Sequence, residues 1–251
     1  MQRYFIPSNQ MEKNTAVIRG DDAKHVIKVM RMDTGSRVVV LNNEGRAAVG
    51  IISSFNDNNE VYLDLEKEEQ GNRELPVKAA IAQALVKGDK LDHVVQKSTE
   101  LGASVIYIYQ GERSVVKWDH TKAAKKTERL QKIAKEAAEQ SERLIIPKVV
   151  YCESTDKLME QAALYQDRLV IDEEQARSKS HSALAEALSR YQTGASFFAC
   201  IGPEGGISEK EKSKMANHAF YSVSLGPRIL RSETASSYFL AVLSYHFELM
   251  R

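Results

Sequence analysis

Two short stretches beyond residue 200 carry the residue types that could bind a ligand and act on it. Ile201-Gly202-Pro203-Glu204-Gly205-Gly206 follows an apolar run and precedes a helix opened by Ser208. Leu225-Gly226-Pro227-Arg228-Ile229-Leu230-Arg231-Ser232-Glu233-Thr234 follows the next apolar run and leads into the final helix. Glycine lets backbone N–H and C=O groups approach a ligand that side chains would hold off. Arg231 offers a permanent charge to stabilise a developing anion, while Glu204 and Glu233 offer carboxylates as bases. Each carboxylate could equally orient an arginine or cap a helix, and either loop alone reads more readily as a tight strand-to-helix turn. Neither loop is a nucleotide motif: GPEGGIS lacks the Lys-Ser/Thr of a P-loop, and no GxGxxG follows the first strand. His25, His93, His120, His181, His218 and His246 all fall outside both loops. Cys152 and Cys200 form no CxxC and read as reduced core thiols, with no metal site expected.

The loops need a scaffold, and hydrophobic periodicity supplies one. Short β-type runs at Gln2–Ile6, Thr15–Ile18, Arg37–Leu41, Ala47–Ser53 and Val61–Leu65, with a turn at Asn42–Gly45 and one helical stretch at Asp22–Met30, predict a small β-barrel module. After the polar, acidic linker Glu66–Glu74 the pattern changes to strands alternating with helices. Val77–Leu85 predicts a strand, followed by a helix that Asp89 caps and Gly102 ends. Val105–Tyr109 is the next strand, and Thr121–Leu144 a long helix stopped by Pro147. Leu169–Ile171, Phe197–Ile201 and Tyr221–Leu225 are short, almost continuous apolar strands, as expected where both sheet faces are covered. Thr234–Leu249 closes the chain as a helix. The sequence therefore predicts an α/β protein with a small module over 1–70 and a mostly parallel α/β domain over 74–251. In such a sheet, ligands bind beyond the carboxyl ends of the strands, where both glycine loops lie.

Composition bounds the reading. The chain has 251 residues, 43% hydrophobic and 27% charged, which suits a soluble globule and excludes a mainly disordered one. No apolar run approaches a membrane span and Met1–Phe5 lacks a signal-peptide layout, so a cytoplasmic protein is expected. The net charge of +1 hides local asymmetry. Residues 1–46 carry 8 basic and 5 acidic side chains, residues 47–72 carry 1 and 6, and residues 111–148 carry 10 and 6. A chain basic only in places could still bind a polyanion.

The ordered motifs resemble one family. IGPEGG followed by LGPRILRSETA is similar to the paired motifs of the RsmE-type 16S rRNA uridine-N3 methyltransferases, of the SPOUT superfamily. Arg3-Tyr4-Phe5, His25–Arg31, Gln96–Gly102 and Glu139–Arg143 resemble further family segments in the same order, with Ser232 standing where Thr is expected. The resemblance implies an N-terminal PUA-like β-barrel and a C-terminal SPOUT α/β domain with a parallel sheet and a deep trefoil knot. It also implies S-adenosyl-L-methionine as cofactor, 16S rRNA or the 30S subunit as substrate, and a homodimer, with neither membrane nor DNA as partner. Alternatives are another SPOUT-type enzyme acting on tRNA or a ribose 2′-OH, and a non-catalytic RNA-binding ribosome-assembly factor.

Matching positions assign the cofactor to Ile171, Ile201, Gly202, Pro203, Glu204, Gly205 and Gly206 from the first loop and the strand beside it. Leu225, Gly226, Ile229, Leu230 and Thr234 complete that set from the second loop. Arg231 and Glu233 are the expected catalytic residues. RNA contacts are expected from Arg3, Lys24, Lys28 and Arg31 in the first module, and from Arg113, Lys125, Lys126, Arg143 and Arg228 in the second.

Overall fold

The computed structural model describes residues 1–177 and 181–250, in two compact units. The first comprises Met1–Glu74 and Ala138–Ile146, the second Leu75–Ala137 and Pro147–Arg251. Residues 138–146, which the sequence pattern assigned to the second module, thus belong with the first.

The first unit contains β1 (Arg3–Phe5), β2 (Thr15–Ile18), α1 (Gly20–Lys24), a π-turn at His25–Val29, β3 (Arg37–Leu41), β4 (Ala47–Phe55) and β5 (Val61–Glu68). The strands form one sheet in the order β1-β3-β4-β5-β2, parallel between β1 and β3 and antiparallel elsewhere. It is a curled half-barrel with β1 and β2 at its edges. Ile18, Val26, Val38, Val40, Ile52 and Leu63 pack together inside it, so the helical stretch buries Ala23 and Val26 as its spacing predicts. The acidic stretch read as linker begins inside β5. The outer face of that strand is exposed, and its carboxylates find cross-strand partners, Glu66 with Arg37 and Glu68 with Arg46. Charge on a solvated strand face costs little, which is why polarity alone starts the linker inside the strand.

The second unit contains β6 (Lys78–Ala84), α2 (Lys90–Glu100), β7 (Val105–Tyr109), α3 (His120–Gln140, its last turn counted with the first unit), β8 (Lys148–Cys152) and α4 (Thr155–Ala162). It continues through β9 (Asp167–Ile171), α5 (Glu173–Ala176), α6 (Ala183–Ser189), β10 (Ser196–Ile201), α7 (Glu209–Asn217), β11 (Tyr221–Val223) and α8 (Ser232–Ser244). All six strands run parallel in the order β11-β9-β10-β6-β7-β8. The central strands are buried on both faces, Phe197 to Ile201 and Ala79 to Ala84 without a break. Asp89 stands at the start of α2 without the predicted side-chain cap. β8 went unpredicted because, at the sheet edge, its KVVYC run is only partly buried and shows no continuous apolar signal.

Cys152 and Cys200 are free and buried, and burial pushes their thiols up to about 11 and about 12 respectively. Neither is a nucleophile at neutral pH.

Candidate active site

Strands β9, β10 and β11 end side by side, and the loops leaving them enclose a cavity of about 180 Å³, open on one side. Ile171, Ile201 and Leu225 come from the strand ends, Gly202, Pro203, Gly205 and Gly206 from the first glycine loop, and Arg228, Ile229 and Leu230 from the second. The site residues assigned from sequence thus meet around one cavity, with exceptions. Glu204, Gly226 and Thr234 are not among its lining residues, and neither are Arg231 and Glu233, the two expected catalytic residues. Asp172, Glu174, Lys212, Ser232 and Ala235 line it and were not assigned.

The loops are held by short-range and long-range bonds. In the first loop Gly206 N–H donates to Pro203 O at 2.9 Å, and Ser208 with Glu211 forms a complete capping box that starts α7. Ser232 joins the two loops: its hydroxyl donates to Gly202 O at 2.6 Å while accepting from Gln83 Nε2 at 2.7 Å. Gln83, at the end of β6, is fully buried, and its Oε1 has no partner among the described residues. Arg113, from the loop after β7, donates to Gly205 O at 3.2 Å and lies on the cavity wall.

The lining is two-sided. Ile171, Ile201, Leu225, Leu230 and Ala235 present an apolar surface, and Ile229 stands 54% exposed beside them. The backbone between these side chains can read the edge of a planar heterocycle. Opposite, Asp172 accepts from Glu174 N–H to start α5, and its other oxygen lies 3.1 Å from Lys212 Nζ. Burial works against the Lys212 charge, but Glu174 and Asp172 hold its pKa above the ordinary lysine value. The Asp-Glu-Glu run after an apolar strand was the signal for this wall. Glu173 on the same wall is exposed.

Around the cavity, Arg231 is exposed at the N-cap of α8, with no side-chain hydrogen bond or ion pair among the described residues. Glu233 pairs with Lys90 at 3.4 Å, not with Arg231. Glu204 also pairs with Lys90, at 2.9 Å; burial would raise its pKa, but the Lys90 ammonium holds it below the usual carboxylate range. That makes Glu204 a poor general base. His181, outside the motifs, lies 3.0 Å from Ser224 Oγ beside the second loop.

Two expected RNA contacts need correction. The Arg3 side chain is 3% exposed and ion-paired with Glu69 at 2.7 Å; the Arg143 side chain is 3% exposed and held by Glu74 at 2.5 Å. Both are buried within the first unit and cannot meet a phosphate. Lys24, Lys28 and Arg31 are exposed there, Lys24 beside Asp21. Lys125 and Lys126 are exposed on α3, and Arg228 at the cavity.

A parallel α/β sheet with its ligand cavity beyond three adjacent strand ends, and a small curled sheet as a separate unit, define a ligand-binding α/β domain with an appended β module. The model of an RNA methyltransferase domain matches residues 73–244, and that of an RNA methyltransferase PUA domain matches residues 18–66. The chain belongs to the RNA methyltransferase family that contains ribosomal RNA small subunit methyltransferase E. It is 40% identical to that protein of Bacillus subtilis (strain 168), over 100% of this chain and 99% of the relative. The Synechocystis sp. relative of the same description is 28% identical over 96% of this chain and 77% of its own. Among solved structures, ribosomal RNA small subunit methyltransferase E from Neisseria gonorrhoeae, bound to S-adenosyl methionine, matches with a TM-score of 0.82 and 26% identity over 98% of both chains.

Proposed function

We propose that this protein is an S-adenosylmethionine-dependent methyltransferase that modifies N3 of one uridine in 16S rRNA of the small ribosomal subunit. The observation that carries the reading is the single cavity whose walls come from both glycine motifs, in a chain related along its whole length to small-subunit rRNA methyltransferases. The residues present fit the cofactor. Adenine would lie against Ile201, Leu225 and Ile229 and be read by the backbone around Leu230. The carboxylates of the Asp172–Glu174 wall suit a ligand with cationic groups. Gly202 leaves no room for a Cβ, so the backbone itself forms that wall. The tether from Ser232 to Gln83 and the return of α8 onto α2 fit the trefoil knot of the family.

When bound, S-adenosylmethionine supplies an electrophilic methyl group. The chain must supply the rest, because uracil N3 carries a proton at neutral pH and is a poor nucleophile until it leaves. Arg231, exposed and unpaired among the described residues at the end of the second loop, would stabilise the uridylate oxygen charge. Glu233 would accept the N3 proton: its 3.4 Å pair with Lys90 is looser than the 2.9 Å pair that holds Glu204 below the usual carboxylate range. Orientation of N3 toward the methyl group can contribute roughly 7–11 kcal/mol of the barrier reduction. Incubating the protein with labelled cofactor and 30S subunits lacking the mark should yield 3-methyluridine on nucleoside digestion. A 2′-O-methylated nucleoside, or a label only on tRNA, would replace this reading with another SPOUT activity; cofactor-independent RNA binding without transfer would replace it with an assembly factor.

The RNA surface follows from the exposed cations: Lys24, Lys28 and Arg31 on the first unit, Lys122, Lys125 and Lys126 on the second. Changing Lys125 and Lys126 together to Gln should flatten the dependence of log K on log salt by about 0.7 per lost contact on single-stranded RNA. An unchanged slope in filter-binding titrations would return that helix face to bulk solvent. A homodimer working in the cytoplasm completes the proposal; no helix among the described residues is long and apolar enough to cross a membrane.

A further inference from the structure

Lys90 opens α2, just beyond the end of β6, and no sequence motif singled it out. Its ammonium lies 2.9 Å from Glu204 Oε1 and 3.4 Å from Glu233 Oε2. Glu204 belongs to the loop after β10, and Glu233 to the first turn of α8, which ends the loop after β11. One side chain from a third strand end therefore bridges the acidic residues of both motif loops. The bridge lies on the same loops as the Gln83–Ser232–Gly202 chain, so the loops are joined twice, once by neutral hydrogen bonds and once by charge.

A purely structural role explains this cluster poorly. Lys90, Glu204 and Glu233 have side chains 32%, 38% and 15% exposed, and ion pairs that reach solvent in this way add little to stability. Two carboxylates drawn to one site without a cation would repel, and each would favour its protonated form. Lys90 between them offsets that repulsion and holds the loops that carry them at a fixed separation.

We propose that Lys90 is a positioning residue for methyl transfer, clamping the two motif loops through Glu204 and Glu233 and so fixing acceptor base and methyl donor in line. This rests on the methyltransferase reading above. A displacement of about 1 Å between reacting groups can cost about 100-fold in rate, so a modest clamp on loop geometry has a large kinetic lever.

The test uses the full-length protein, 30S subunits lacking the mark, and three variants. Lys90→Met should lower kcat by about 10–100-fold with little change in KM for the 30S particle and with a melting temperature close to that of the unaltered protein. Lys90→Arg should recover most of the lost rate, because a guanidinium can span two carboxylates. Glu204→Gln should reproduce part of the Lys90→Met defect, and adding it to Lys90→Met should cost little more. Turnover by Lys90→Met within twofold of the unaltered protein would overturn the proposal. So would failure of Lys90→Arg to rescue, or a rate loss matched by a collapse in melting temperature. If the unaltered protein itself transfers no methyl group, the functional reading fails first, and that result is separate from any variant.

Discussion

Gly202→Ala should reduce affinity for S-adenosylmethionine by at least about 100-fold, equivalent to about 2.7 kcal/mol. A Cβ on Gly202 would stand 2.8 Å from Ile207 Cγ1 and 3.1 Å from both Gly206 C and Ile207 N. Two of those three neighbours are backbone atoms and cannot rotate away. They are also pinned, because Gly206 N–H donates to Pro203 O and the Ser208–Glu211 capping box fixes the start of α7. The added methyl group must therefore push Gly202 itself, and Gly202 O is the acceptor of the 2.6 Å bond from Ser232. Shifting it loosens the contact between the loops and leaves buried polar groups without partners. Overpacking of this kind costs about 1–3 kcal/mol in stability. The cofactor affinity falls further because the displaced backbone is the cavity wall. Gly205→Ala is the internal comparison: its Cβ would meet Arg113 Cβ at 3.3 Å and Arg113 O at 3.4 Å, contacts that a small shift of the Arg113 loop relieves. Calorimetric titration of both variants, with circular dichroism to show that they fold, checks the ranking. Unaltered affinity in Gly202→Ala would mean that this loop does not touch the cofactor.

The glycine loops were legible in the sequence because everything that makes them loops is local. An apolar strand, a Gly-Pro break and a capping serine sit within a few residues of one another, and physical rules for turns and caps act at that range. The cavity itself was legible only through the rule that parallel strands present ligands at their carboxyl ends. What joins the loops was not legible. Gln83 meets Ser232 across 149 residues and Lys90 meets Glu204 across 114, and no periodicity links such positions. The misassigned arginines fail for the same reason. Arg3 finds Glu69 across 66 residues, and Arg143 finds Glu74 across 69. A basic residue in a one-dimensional reading has no sign telling whether a distant carboxylate will bury it. Lys125 and Lys126 carry the opposite lesson. They lie on the polar face of an amphipathic helix, whose period does show which residues stay outside, and both are exposed.

Glu74→Ala should lower the stability of the first unit by about 3 kcal/mol, a larger loss in folding free energy than any of the other substitutions should bring. One carboxylate serves four donors. Glu74 Oε2 accepts from Arg143 Nη2 at 2.5 Å and from Nε at 3.1 Å, while Oε1 accepts from Leu144 N–H at 2.9 Å and Ile145 N–H at 3.2 Å. Removing it takes the bidentate partner from a guanidinium whose side chain is 3% exposed and strips two backbone N–H groups of their acceptor. Breaking a buried ion pair costs about 3–5 kcal/mol, and the further interactions that Arg143 keeps, with the 21% exposure of Glu74, place the expected loss at the lower end. Arg143→Lys should recover little of the pair, since an ammonium cannot reproduce the fork. The decisive comparison is with RNA binding. Were Arg143 a phosphate contact, Arg143→Gln would reduce the salt dependence of RNA affinity and leave the urea midpoint almost unchanged. The structure requires the reverse: a lower urea midpoint for Arg143→Gln and, at temperatures where the variant is folded, a salt slope equal to that of the unaltered protein.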